Sequence, residues 1–573
     1  MPDATPATNL IGRRIWNISR IAFALAAVAI VPVVSGEIGA RSEASLFIAN
    51  VLPWLLPWLL LLAGTRRPIF ASLTTALLQL GLYGLNTLKL QQLGVPILPA
   101  DLSALGNLWH APELFLRYLG GHPVYWSITL LPVAAWLERP LSGLQGRGRA
   151  ALAFLAMALP ASLVLRMPPW PDLYGRQRLG IEVWLPAYGA RQAGVLAQFL
   201  QIYLTTQQAV HATDPRALAD ARRWLQARAP TNPGRTADLP DIVVIQSESF
   251  FDPGDLAGVD TAPFAPRLDA LRRLHAHGRL RVPAYGGLTT RSEFEFLTGF
   301  PLRSEPALEY PYQALVHRPM PALPWVLQAH GLTTTAVHPY ARQFYQRDVA
   351  LPLLGFEHFI DDSAFSASDV HGFHFSDAAL NRQIRSSLDA PGPQFVFAIS
   401  VENHGPWDIP RPLGAVELPP LPAGITLDER GTLALRQYLH HLARSDQALD
   451  ELAAWVMQRP EPTLLLFYGD HLPAMHYVIE HLPWDDGQGA YLQTTPWLLV
   501  DNRRDPAAER IDLAASELAG LLLQRAGVDD AAPFAEIEQL RRARVAGELD
   551  AERVEAWQRA LATDSISRTP GQH

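Results

Sequence analysis

The stretch Ile-Val-Val-Ile-Gln-Ser-Glu-Ser, residues 242–249, is apolar and β-branched until it ends on a carboxylate between two hydroxyls. A short run of this kind, closed by turn residues, is the signature of a strand buried on both faces of a parallel sheet. Three further runs share the form: Thr-Thr-Thr-Ala-Val reaching His338, Phe395–Gly405 carrying His404, and Leu464–His471 delivering Asp470 and His471. In open α/β sheets, ligands bind beyond the carboxyl ends of the strands. Strand ends that all present metal- or phosphate-handling residues therefore predict one shared active site.

Around these runs, helical patterns at Pro266–His277, Pro321–His330 and Leu433–Gln458 alternate with the strands. That alternation predicts an α/β domain with a mainly parallel sheet flanked by helices. After Asp512, the stretch Leu513–Ala526 and the charged segment Glu536–Arg559 read as a closing helical subdomain, and the last dozen residues as a disordered tail.

The chain has 573 residues, a net charge of −8 and no long basic run, which argues against a nucleic-acid partner. It has no cysteine, so disulfides and thiolate ligands are excluded. Its 49% hydrophobic content is concentrated towards the N-terminus. Apolar segments at Ile21–Val34, Leu46–Ala63, Ile69–Leu88, Val124–Leu137 and Ala150–Leu165 predict a bundle of five transmembrane helices, the first and fourth needing their flanks to reach spanning length. Trp54, Trp58, Trp126 and Trp136 are expected as interfacial anchors. Arg13, Arg14 and Arg20 precede the first segment, Arg66 and Arg67 separate the second from the third, and Arg139, Arg147 and Arg149 the fourth from the fifth, so all fall on one side; the alternate loops carry only Arg41 in one and Lys89 and Arg117 in the other. The positive-inside rule then makes this an inner-membrane, multi-pass protein with a cytoplasmic N-terminus and the large C-terminal part in the periplasm. Asp214-Pro215 opens a helix running to about Arg228, and Pro230–Pro240 reads as a linker. The expected domains are residues 1–167 (membrane), 168–240 (juxtamembrane helical linker), 241–545 (catalytic) and 546–573 (C-terminal helix end and tail).

A carboxylate beside an imidazole, as in Asp470-His471, suits a divalent cation, while Glu248 alone equally suits a strand-end turn accepting backbone N–H groups. The segment Gly-Gly-Leu-Thr-Thr-Arg-Ser-Glu-Phe-Glu-Phe-Leu-Thr-Gly, residues 286–299, is the most specific in the chain. Its glycines allow close backbone approach. Ser292-Glu293 suggests a capped helix start, and the hydroxyls of Thr289 and Thr290 are both candidates for a nucleophile held at a helix N-terminus. On chemistry alone the two threonines compete.

This segment, with the Ser-Glu-Ser turn, Glu402-Asn-His-Gly-Pro-Trp and Tyr468-Gly-Asp-His, resembles the lipoteichoic acid synthase and phosphoglycerol transferase family of the alkaline phosphatase and sulfatase superfamily. The resemblance implies an alkaline-phosphatase-like catalytic domain with Glu248, Thr289, Asp470 and His471 around a divalent metal, manganese foremost, with magnesium or zinc as alternatives. It implies Thr289 as nucleophile, His404 as the group that protonates the leaving oxygen, and His338, Arg347 and Tyr345 as contacts to the headgroup. An ordinary surface ion pair is the alternative for Arg347. The implied activity is transfer of glycerol phosphate from phosphatidylglycerol to an envelope glycan through a covalent phospho-threonine. The Asn-His-Gly-Pro-Trp form looks more like glycan-decorating enzymes than polymer synthases. A phosphoethanolamine transferase or phosphodiesterase of the same superfamily is the alternative, and a membrane receptor or scaffold the alternative of another class. Sulfate ester hydrolysis is disfavoured, because the chain reads Thr-Thr-Arg-Ser-Glu where a sulfatase carries its Cys/Ser-x-Pro-x-Arg motif.

Overall fold

The computed structural model describes residues 6–37, 44–93, 96–99, 101–104, 130–141, 146–175, 179, 190, 193–205, 213–228, 239–260, 263–305 and 308–570. The chain divides into two compact units, one drawn from residues 1–210 and the other essentially residues 211–573.

Among the described residues of the first unit, four helical stretches are long and apolar enough to cross a membrane: Ile15–Val34, Ala44–Thr65, Pro68–Gln91 and Gly146–Val164. Pro53 tightens the second into a 3₁₀ turn at Leu52–Trp54 without ending it. The expected Val124–Leu137 crossing is described only as the helix Leu130–Leu137, its earlier part lying outside the described residues, so five crossings are not established. Trp54 and Trp58 correct the sequence reading. Both are buried, and their indole N–H groups donate to Tyr83 Oη (3.2 Å) and Ser72 Oγ (2.8 Å). Inside the helix packing such donors need partners, and these two found them on the helix Pro68–Leu93. Trp136 is 82% exposed, and Trp126 lies outside the described residues.

The second unit opens with the helix Pro215–Gln226, capped as expected by Asp214 accepting from the N–H groups of Arg216 and Ala217. Residues 229–238 of the expected linker lie outside the described residues. The unit is built on a sheet whose strands are β1 (Asp241–Ser247), β2 (Ala276–Arg281), β3 (Thr333–Val337), β4 (His358–Ile360), β7 (Gln394–Ile399), β8 (Thr463–Gly469), β9 (Thr495–Asp501), β10 (Glu509–Arg510) and β11 (Leu513–Ala514); β5 (Val370–His371) and β6 (His374–Phe375) form a separate hairpin. The order is β10-β2-β9-β8-β1-β7-β3-β4, with β11 also on β2. Among these, only β9 runs against the rest, being antiparallel to both β8 and β2, so the sheet is mixed.

The apolar runs of the central strands follow from burial on both faces. On β7, Val396 and Ala398 join a core with Leu435, Leu442 and Leu449 of the helix Glu429–Gln458. Phe395 and Phe397 point the other way and stack on Phe356, and Phe397 also on Phe296. β8 repeats the division, Leu465 and Phe467 on the first side and Tyr468 against Phe296 on the second. Truncating such a phenylalanine to alanine costs about 3–5 kcal/mol.

Several boundaries differ from the sequence reading. The helix from Pro266 ends at Arg272, and His277 belongs to β2. Leu513 and Ala514 pair with β2 before the helix Ala515–Ala526 starts. The C-terminal helix runs to Ser567, so much of the expected tail is ordered; Leu561 packs with Leu225 and Leu540 in one apolar cluster.

Candidate active site

The four strands that end in candidate residues are neighbours in the sheet, in the order β8-β1-β7-β3. Parallel pairing puts their carboxyl ends on one edge, so residues far apart in sequence meet there.

β1 and β8 supply the first cluster. Glu248 follows β1, and Asp470 and His471 follow β8. The turn after β1 bends through Ser249, at φ 51°, whose N–H donates to Asp470 Oδ1 (2.7 Å) and whose hydroxyl donates to Glu248 Oε1 (2.6 Å). Gly469 permits the approach: a Cβ there would lie 2.0 Å from the carbonyl oxygen of Phe250. Ser400 Oγ accepts from the Glu248 N–H (3.0 Å), and Ser292 Oγ donates to the Asp470 carbonyl (2.6 Å), so the neighbouring elements fix both carboxylate-bearing turns.

The segment after Gly287 starts its helix at Thr289, with Leu288 left-handed (φ 64°) before it and no side-chain cap. The expected cap at Ser292-Glu293 is therefore not made: Ser292 is occupied by Asp470, and Glu293 by Arg347 and Tyr312. Thr289 stands in the first turn with Oγ1 3.4 Å from Glu248 Oε2 and 3.4 Å from His471 Nε2. Thr290 is fully buried and its hydroxyl reaches no partner. Geometry thus separates two threonines that chemistry alone left equal.

Glu248, Asp470 and His471 are all buried and bring three ligand atoms within 4.8 Å of one another. His471 Nδ1–H donates to the Leu472 carbonyl (2.9 Å), which leaves Nε2 as a bare lone pair. That lone pair faces Asp470 Oδ2 at 3.2 Å and Glu248 Oε1 at 3.7 Å, and Asp470 Oδ2 has no hydrogen-bond partner. Burial, and then the charge of Glu248, push the Asp470 carboxyl well above its usual range; burial holds the His471 imidazole down. Lone pairs crowded together in a buried space are destabilising alone and are what a divalent cation neutralises. The donor set of two carboxylates, one imidazole and one hydroxyl fits such an ion.

The second cluster lies beyond β7 and β3. His338 follows β3, and its Nδ1–H donates to the Ile399 carbonyl (3.0 Å). Burial, then the nearby Arg347 guanidinium, hold its imidazole well below the usual value, so it is neutral. His404 sits on the loop after β7, its Nδ1–H donating to the Gly405 carbonyl (2.9 Å); it is close enough for its charge to act on both His338 and His471. His338, His404 and His471 thus share one arrangement, with Nδ1 tied to the main chain and Nε2 left for chemistry. Arg347 makes no surface ion pair. It is buried and paired with buried Glu293, Nε lying 3.2 Å from Oε2, while its Nη1 has no partner. Tyr312 Oη also donates to Glu293 Oε2 (2.9 Å). Tyr345, half-buried and at φ 57°, places its ring 5.4 Å from the Arg347 guanidinium.

Sequence reasoning missed Glu293, Ser249, Ser292 and Ser400 as partners. All lie in or beside the quoted motifs, but the residue each one holds is distant in sequence. The residues that set the His404 loop, His374 and Arg411, carried no motif signal.

The family model described as Sulfatase matches residues 240–518. Two Rhizobium meliloti proteins are similar to the chain: one named for cyclic beta-1,2-glucan modification, 28% identical over 301 residues (51% of this chain, 46% of that protein), and the capsular polysaccharide biosynthesis protein RkpI, 33% identical over 252 residues (43% and 44%). The chain spans a little under half the length of these curated relatives. Among solved structures, the Streptococcus pyogenes phosphoglycerol transferase GacH in complex with sn-glycerol-1-phosphate aligns at 20% identity and TM-score 0.48, over 63% of this chain and 95% of that one. Both clusters described above fall within the residues that this family model matches.

Proposed function

We propose that the chain is a membrane-anchored, metal-dependent phosphotransferase that moves glycerol phosphate from phosphatidylglycerol to an envelope glycan through a phospho-threonine. The observation that carries this reading is the placement of Thr289 Oγ1, 3.4 Å from both Glu248 and His471 at the start of a helix. A nucleophile needs its proton accepted and the incoming phosphate oxygens stabilised; the Glu248 carboxylate suits the first need and the helix N-terminus the second.

Glu248, Asp470 and His471, with Thr289, would hold the divalent ion, manganese in this reading, and it would supply positive charge that favours the Thr289 alkoxide. Thr289 Oγ bonds to phosphorus as the bond to the diacylglycerol oxygen breaks, and His404 Nε2 gives that oxygen its proton. An acceptor hydroxyl then attacks the same phosphorus, loses its proton to His404, and Thr289 departs with its oxygen and takes back the proton held by Glu248. Arg347 and His338 recognise the headgroup phosphate and hydroxyls, with Tyr345 as the aromatic wall.

A buried guanidinium with one free nitrogen attracts a phosphodiester and repels an ammonium, which favours glycerol over ethanolamine as the headgroup. Residues 286–299 lack the Cys or Ser motif that sulfate hydrolysis needs. The glycan acceptor is supported by the names of the two Rhizobium relatives. Arg66 and Arg67 between the second and third apolar helices, with Arg139 before the helix Gly146–Val164 and Arg147 and Arg149 in its first turn, support a cytoplasmic N-terminus, and a fifth crossing in this reading puts the catalytic domain in the periplasm.

The test uses the purified full chain in detergent with Mn²⁺ and either phosphatidylglycerol or phosphatidylethanolamine, both labelled in the acyl chains. Release of labelled diacylglycerol from phosphatidylglycerol, with a glycerophosphoryl group on the Thr289 peptide by mass spectrometry, is expected. Release from phosphatidylethanolamine alone would replace the headgroup assignment; no adduct at any threonine with full turnover would end the covalent mechanism.

A further inference from the structure

We infer that His374, outside every motif of the site, is a positioning residue that aims His404 at the leaving oxygen; the inference rests on the transfer reading above and deepens it. His374 opens β6, in the hairpin whose two strands pair His371 with His374. The hairpin is tied to the long helix Glu429–Gln458, where His371 Nε2 lies 2.9 Å from His440 Nε2. His374 itself is 7% exposed. Its Nε2–H donates to the Gly405 carbonyl (3.0 Å), and its ring meets the His404 ring edge-on with centroids 5.2 Å apart.

The same Gly405 carbonyl accepts His404 Nδ1–H at 2.9 Å. A carbonyl can only accept, so both nitrogens must carry hydrogen, and its two lone pairs are filled by two imidazoles. Two consequences follow. The Gly405 peptide cannot turn without breaking the bond to His374, and His404 cannot move its proton from Nδ1 without losing its own acceptor. His374 therefore sets both the direction and the tautomer of His404, leaving Nε2 to act. Arg411 braces the preceding and following carbonyls, donating to His404 O and to Pro406 O. The carbonyl that orients the His404 ring answers to His374.

A group that positions a general acid has a signature that a merely structural group lacks. An alkoxide leaves only with a proton, whereas p-nitrophenolate departs without one. The test compares diacylglycerol release from phosphatidylglycerol with p-nitrophenolate release from the p-nitrophenyl ester of glycerol phosphate. The full-length enzyme is assayed as wild type, His374→Phe, His374→Gln and His404→Ala. Phenylalanine fills the space without a donor, and glutamine keeps an N–H near the Nε2 position; thermal melting confirms that each variant folds.

His374→Phe is expected to slow diacylglycerol release by about tenfold or more, in kcat and not in KM, because small misplacement of a reacting group carries that cost. In the first turnover, before His404 serves as base for the acceptor, p-nitrophenolate release should be essentially unchanged, and His374→Gln should recover most of the lost rate. Equal loss on both substrates, or no recovery with glutamine, overturns the positioning role while a selective loss in His404→Ala keeps the acid role intact. Equal loss in His404→Ala overturns the acid role itself, and the inference about His374 falls with it.

Discussion

Replacing Thr289 by alanine removes one hydroxyl whose two contacts are each 3.4 Å long. Such distances sit at the weak end of hydrogen bonding, and the helix it opens has no side-chain cap to lose. The stability cost is therefore below about 1 kcal/mol. Activity answers to a different quantity: without the nucleophile no covalent intermediate forms, and removal of a nucleophile costs at least about 10⁴-fold in kcat. Thr290→Ala is the matched control. Its hydroxyl is buried without a partner, so deletion is neutral to slightly stabilising and activity persists. Diacylglycerol release from labelled phosphatidylglycerol, thermal melting and intact mass after a quench report rate, fold and adduct separately. An active Thr289→Ala beside an inactive Thr290→Ala would refute the reasoning, because the residue nearer the ligand atoms would then not be the one that reacts.

Asp470→Asn replaces a carboxylate whose Oδ2 has no partner except the converging ligand atoms; calorimetry with Mn²⁺ should show affinity lost by about 10-fold to 100-fold or more, with chelation of the wild type abolishing transfer. Arg347→Ala strands Glu293 as a buried charge and should destabilise the domain by about 3–5 kcal/mol, whereas Arg347→Ala with Glu293→Gln should cost less; additive losses in chemical denaturation would contradict the coupling. Burial holds the His441 imidazole down to about 4, below its unfolded value, so its stabilising share is complete above that unfolded value and is lost as pH falls towards 4. Between about pH 7 and about pH 5.5 the loss is about 1 kcal/mol, and His441→Gln should flatten the pH dependence of unfolding by that amount; an unchanged slope would count against it.

The central strands were legible because burial on both faces demands unbroken apolar runs, and Val243, Phe397 and Leu465 show no exposure at all. Boundaries were less legible where tertiary pairing overrode local pattern. His277 has helical spacing from Pro266 but is claimed by β9, and Leu513-Ala514 by β2. Trp54 and Trp58 have the composition of interfacial residues, yet Tyr83 and Ser72 offered buried acceptors. Composition cannot say which way an indole turns.

By itself the sequence determined which residue types stand at the strand ends, since apolar runs, glycines and the closing Glu248, His338, His404 and Asp470-His471 are local patterns. Tertiary structure alone decided which of them meet: strand order β8-β1-β7-β3 brings the two carboxylates together, the left-handed Leu288 aims Thr289 rather than Thr290, and Glu293 claims Arg347. The physical reason is range. Hydrophobic periodicity acts over a few neighbouring residues, whereas convergence of lone pairs in a buried site depends on contacts between segments separated by more than two hundred positions, such as Glu248 and Asp470.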